Sequence, residues 1–170
     1  MEVRRAVVFG PWSHALDRDL VWFHAGLPQR CARTPIERVV HGASWYLRFE
    51  CDLPKQAMTL EVASQCGTLH DPEVDRFLLE RADGVLFVID SAVPNEHALL
   101  AQHALLLEIA PPAVVYQRDD AGYTSCDTPV RSADELRALL ALREPLLETK
   151  ASHGVGVMEA FAALVRAMIG

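Results

Sequence analysis

The sequence predicts an α/β fold, a three-layer arrangement around a mostly parallel six-stranded sheet with one antiparallel edge hairpin. Three observations predict it. The runs Ala6-Val7-Val8-Phe9, Val85-Leu86-Phe87-Val88-Ile89 and Val114-Val115-Tyr116 are continuously apolar, the pattern of strands buried on both faces. Helical stretches with start and stop signals lie between them, and this alternation yields a parallel sheet covered on both sides. One neighbouring pair of segments instead alternates apolar with polar residues, as half-buried hairpin strands do.

Each element follows in order. Gly10-Pro11 ends the first strand, and a helix runs from about Leu16 to His24. The hairpin spans Ser44–Cys51 and Ala57–Val62. Trp45, Leu47, Phe49 and Cys51 alternate with Tyr46, Arg48 and Glu50, then Met58, Leu60 and Val62 with Thr59 and Glu61; Pro54-Lys55 stands in the turn. Asp71-Pro72 supplies an N-cap and a first-turn proline for a helix to about Arg81. Val85–Ile89 is the most apolar run and predicts a central strand. Pro94-Asn95 opens a long helix that Pro111-Pro112 stops after Ile109. Val114–Tyr116 is the next strand. Ser132 with Glu135 makes a capping box before a helix over Asp134–Leu142. Pro145–Thr149 is the last strand, and Val157–Met168 closes the chain as an amphipathic helix.

The chain's 170 residues, 51% hydrophobic and 23% charged, fit one domain over residues 1–170, with no linker or repeat to divide it. Twenty-three acidic against 16 basic residues give a formal charge of -7, which argues against a nucleic-acid partner. No run approaches the ~20 apolar residues of a membrane span, and the first apolar stretch is too short for a signal-peptide core. Cys31, Cys51, Cys66 and Cys126 form no CxxC pair, so reduced thiols and a cytoplasmic location are expected.

Ligands of such folds bind beyond the carboxyl ends of the strands. Four strand ends therefore matter: Gly10–Asp17, Ser64–Thr68, Gln117–Asp120 and Ala151–Val157. Gly10-Pro11 after the first strand, the run Ala82-Asp83-Gly84-Val85-Leu86-Phe87-Val88-Ile89-Asp90-Ser91, and the closing Gly154-Val155-Gly156-Val157 resemble a Ras-like small GTPase. The similarity is greatest to bacterial MglA-type GTPases of cell polarity and gliding motility. It covers nearly the whole chain in element order. It is specific over residues 82–91 and 113–157, and weak over the first 60. The resemblance implies a G-domain with P-loop NTPase-like topology.

The family's phosphate loop, G-x-x-x-x-G-K-[ST], works through backbone N–H groups, a lysine on the phosphates and a hydroxyl on Mg²⁺. Here Gly10 stands, but Ala15, Leu16 and Asp17 occupy the positions of the second glycine, the lysine and the hydroxyl residue, and bulky Trp12 lies within the loop. Asp17 places the protein's own anion where the helix dipole would attract a phosphate. A like charge ~4 Å from a phosphate costs about 4 kcal/mol at an effective dielectric of 20. In the segment Ser64-Gln65-Cys66-Gly67-Thr68, Gly67 matches the family and Thr68 replaces the water-orienting glutamine. The guanine-reading N-K-x-D becomes Gln117-Arg118-Asp119-Asp120; Asp120 matches the base-pairing carboxylate, and Ala151 and Ser152 lie close to the family's backbone contacts.

The resemblance, with these departures, implies a pseudo-GTPase. No catalytic residue, metal or cofactor is expected at the degenerate positions Gly10, Trp12, Leu16, Asp17, Gly67, Thr68, Gln117, Asp120 and Ala151. Its work would be protein recognition through the 30–45 segment, the hairpin and residues 68–81, with Arg33, Thr34, Trp45, Thr68, Leu69 and His70 as the candidate contacts. The implied partner is a Roadblock-type regulator such as MglB, an MglA-type GTPase or another polarity component, as a homodimer or heterodimer. Trp12 and Asp17 would then fix one constitutive state. The alternative is an atypical GTPase that holds GTP or GDP with Mg²⁺ through Asp120, with Arg18 or Arg33 meeting the phosphates. A third reading is a metal site at Cys66 and His70, with His14, His41 and Cys51 nearby.

Plainer readings stand beside these. Gly10-Pro11 is also an ordinary turn, Asp17 and Asp19 an acidic first helical turn, and Asp120 a solvated loop residue beside Asp119. Trp22 and Phe23 read as core filling. His97 and His103 read as surface or boundary residues on opposite sides of one helix. No G-x-S-x-G supports a hydrolase.

Overall fold

A computed structural model describes residues 2–11, 14–65, 71–92, 95–120 and 130–170. Among the described residues, seven strands and five helices form an α/β fold. The strands are β1 (Glu2–Phe9), β2 (Glu37–His41), β3 (Ser44–Leu53), β4 (Met58–Gln65), β5 (Gly84–Asp90), β6 (Ala113–Asp119) and β7 (Leu146–Thr149). The helices are α1 (His14–Gly26), α2 (Pro72–Leu79), α3 (Glu96–Ile109), α4 (Ala133–Leu139) and α5 (Val157–Ile169). One sheet runs in the order β2-β3-β4-β1-β5-β6-β7. It is parallel from β4 through β7, and antiparallel where β3 meets β2 and β4.

The mostly parallel sheet therefore stands as expected, but it has seven strands where six were expected, and two antiparallel pairs where one was. The extra strand is β2. Its sequence, Glu37-Arg38-Val39-Val40-His41, has neither an apolar run nor a clean alternation, because it is an edge with little to bury. A two-residue loop joins it to β3 by pairing His41 with Ser44. Gly42, first in that loop, takes φ +61°, which an L side chain resists and a tight hairpin needs.

The expected hairpin is β3–β4, closed by a 3-10 turn at Pro54–Gln56 and registered from Tyr46↔Gln65 to Leu53↔Met58. Its alternation points Phe49, Cys51, Leu53, Met58, Leu60 and Val62 into one core, under α1 and α5. Leu16, Leu20 and Phe23 recur at helical spacing along α1 and pack there with Leu27 just beyond it, and the Phe23 and Phe161 rings stack at 4.5 Å. The opposite face of the sheet buries Val7, Phe9, Val85, Phe87 and Ile89 against α2, α3 and α4.

The helix starts follow their local chemistry. Asp71 accepts from the Glu73 amide at 3.0 Å, and Asn95 from the Ala98 amide at 2.9 Å. Ser132 and Glu135 cap each other reciprocally. Each such cap contributes about 1 kcal/mol. β1 lies between β4 and β5, so the chain leaves it toward opposite edges of the sheet, and its carboxyl end is the crevice where a ligand site belongs.

Candidate functional site

Gly10 follows β1 at this crevice and is pressed against β5. A Cβ there would lie 2.1 Å from the Val88 carbonyl oxygen, so only glycine fits. Behind it lies the first turn of α1. Leu16 is 4% exposed and belongs to the core under α1, while Asp17 is half-buried on the same turn.

One turn further, Asp19 is fully buried. Gln117, at the end of β6 and also fully buried, donates from Nε2 to Asp19 Oδ2 at 2.8 Å. Burial pushes the Asp19 carboxyl up to about 8, with Asp119 adding to the rise and the Gln117 hydrogen bond opposing it. Asp19 is therefore neutral near pH 7. Its Oδ1 and the Gln117 Oε1 have no partner among the described residues.

Asp119 closes the next layer. Its Oδ1 accepts the Ala151 amide at 2.7 Å and the Thr149 hydroxyl at 3.3 Å. Burial raises this carboxyl too, against the lowering effect of those two donors. From the other side, Trp22 on α1 donates from Nε1 to the Ala151 carbonyl at 2.6 Å, and its ring lies against Gly154. Both backbone polar groups of Ala151 are thus taken by the chain's own side chains. In chemical terms the corner is a latch, tying α1 to the β6 and β7 strand ends. A phosphate cradle needs free N–H groups; here Asp119 takes the Ala151 amide, and Arg18 on α1 is the cation whose charge reaches that carboxyl and lowers it.

No protein-family model matches the chain, and no curated protein matches it.

The expected site residues fall into three groups. Gly10, Leu16, Asp17, Gln117, Asp120 and Ala151 do gather at the strand ends around β1, β6 and β7. Asp120 is half-buried, and its amide extends the ladder to the Thr149 carbonyl at 2.8 Å. Trp12, Gly67, Thr68, Leu69 and His70 lie outside the described residues, as does Cys66 of the metal reading. Of the remaining contacts, Arg33 and Thr34 precede β2 and pair with the far half of β3, apart from Trp45 on that strand. Thr34 exchanges backbone and hydroxyl bonds with Glu50 at 2.9 Å, and Arg33 bridges to Cys51 and donates to the Leu27 carbonyl at 2.9 Å. Trp45 stands near the other end of that strand, beneath the Arg38 guanidinium at 4.3 Å.

Three plainer readings are corrected. Trp22 is not core filling: it is 39% exposed and holds the Ala151 carbonyl, because a tryptophan N–H seeks a partner. Phe23 is core filling. Asp19 is no solvated first-turn acid, since helical spacing turns it inward with Leu16, Leu20 and Phe23. His103 is buried against Tyr116, whose hydroxyl it meets at 3.1 Å, whereas His97 is exposed. Cys51 is buried as well, with its thiol pushed up to about 12 by burial, so it is an inert thiol in this setting.

Proposed function

We propose that the chain is a GTPase-shaped binding module that neither holds GTP tightly nor hydrolyses it, and that its work is recognition of a protein partner. The observation that carries this reading is the Ala151 corner, where Asp119 takes the amide and Trp22 the carbonyl. The resemblance to Ras-like GTPases sets Ala151 close to that family's backbone contacts. Leu16, packed in the core at the position of the phosphate-binding lysine, supports the same reading. So does the sheet order, which is compatible with a G-domain carrying one additional edge strand.

The recognition surface in this reading is the β2–β3 edge. Val40 is 71% exposed on β2, beside Trp45 and the Arg38 stacked over it. The occupant that the resemblance implies is a Roadblock-type regulator or an MglA-type GTPase. The test is a titration of each purified candidate against the chain without added nucleotide, repeated with Val40→Asp. Binding by one of them, weakened at least tenfold by the substitution, supports the reading. Binding by neither, together with GTP turnover by the chain, overturns it.

A further inference from the structure

We propose that a cavity between α2 and the sheet binds a small tetrahedral oxyanion of the phosphate class, gripped by Arg81, Arg48, Arg5 and the Tyr46 hydroxyl. This inference is independent of the reading above. The cavity opens on the α2 side of the sheet, and Arg5 lies five residues before Gly10 on β1, roughly 16 Å from the strand-end crevice. Its volume is about 130 Å³, room for roughly four waters at ~30 Å³ each and therefore for one tetrahedral oxyanion.

The lining carries the charge. Arg5, Arg48 and Arg81 face a single lining carboxylate, Glu61, and with Glu37 paired to Arg48 from outside, one positive charge remains in excess in a chain whose formal charge is -7. Glu61 spends one oxygen on each of two guanidiniums, Arg5 Nε at 3.4 Å and Arg48 Nη1 at 3.3 Å. It thereby fixes two forks side by side while neutralising one of them. Glu37 holds the Arg48 Nε at 2.7 Å from outside the cavity. Arg81 lies over the Phe77 ring at 4.3 Å, and among the described residues no carboxylate pairs with it.

A guanidinium aimed by an aromatic face, beside two others held by one carboxylate, suits bidentate recognition of a planar pair of oxygens. Burial keeps the Tyr46 phenol in its donor form. A phosphate offers enough oxygens to meet Arg81, a second fork and the Tyr46 hydroxyl together, whereas a monocarboxylate has only two.

The experiment is an NMR titration of the full chain with inorganic phosphate, at ionic strength held constant with chloride, following arginine side-chain and Phe77 ring signals. Saturable shifts at Arg81, Arg48 and Phe77 are expected. Affinity should fall about tenfold or more in Arg81→Gln, the loss expected for one charge-assisted pair, and measurably in Tyr46→Phe. Acetate, run alongside, should bind at least tenfold more weakly. Absence of saturation, equal affinity for acetate, or phosphate affinity unchanged in both variants each overturns the proposal. Arg81 is exposed and Tyr46→Phe removes only a hydroxyl from a buried ring, so the unfolding midpoints of both variants serve as the control that the pocket is intact.

Discussion

Replacing Asp19 with asparagine should flatten the pH dependence of stability near neutrality. Asp19 is wholly buried, and burial lifts its carboxyl to about 8, far above the ~3.9 of an unfolded chain. Between those values the unfolded chain has released this proton and the folded one has kept it. Stability therefore falls as pH rises through that window, by up to about 1.4 kcal/mol per unit, and levels off above the folded value. Worked for one such group, the loss from about pH 6 to about pH 7.5 is about 2 kcal/mol. Asparagine keeps an oxygen for the Gln117 Nε2 and carries no proton to lose. The assay is urea unfolding of both proteins at a series of pH values, reading the difference between them so that groups common to both cancel. The difference should move by about 2 kcal/mol in favour of Asp19→Asn as pH rises over that range. A difference flat to within about 0.5 kcal/mol would refute the claim that a neutral carboxyl is locked beneath β6.

The other predictions concern the latch, the crevice and the second buried titratable group. Trp22→Phe keeps a ring against Gly154 but loses the 2.6 Å bond to the Ala151 carbonyl, and should cost about 1 kcal/mol in urea unfolding. Gly10→Ala drives a Cβ to 2.1 Å from the Val88 carbonyl oxygen; overpacking of this kind should cost about 3 kcal/mol, read as a lowered midpoint. Burial lowers His103, so its unfolded form binds a proton that the folded form resists, and stability drops as pH falls below about 6.5. His103→Gln, which can still meet the Tyr116 hydroxyl, should lose part of that acid sensitivity in the same series.

The parts of the fold legible in the sequence were those with a local physical signal. Continuous apolar runs gave β1, β5 and β6 because both faces of those strands are covered. Asp71, Asn95 and Ser132 marked helix starts because a cap is a short-range bond. β2 carried no such signal: an edge strand has one ladder and little burial, so only its pairing with β3 defines it.

The site divides in the same way. Leu16, which the resemblance sets at the position of the phosphate-loop lysine, is visible residue by residue, and its burial is that of an apolar core side chain. The Asp19–Gln117 pair spans 98 residues, and no local pattern announces it. Helical spacing was the available clue, since Asp19 falls on the α1 stripe of Leu16, Leu20 and Phe23. Asp119 was hidden differently. Motif matching directed attention to Asp120, whereas strand alternation sends Asp119 inward beside Gln117 to meet Ala151.

The most direct test of the central claim is nucleotide binding by the freshly purified chain. Denatured extracts would be analysed for guanine nucleotide, and the native protein titrated with Mg²⁺–GTP in a calorimeter. With Leu16 in the core and both backbone groups of Ala151 occupied, no nucleotide should be extracted, and no heat should appear up to millimolar ligand. Co-purified GDP, or binding at micromolar concentration or below, would contradict the account: the latch would then be one that a nucleotide opens.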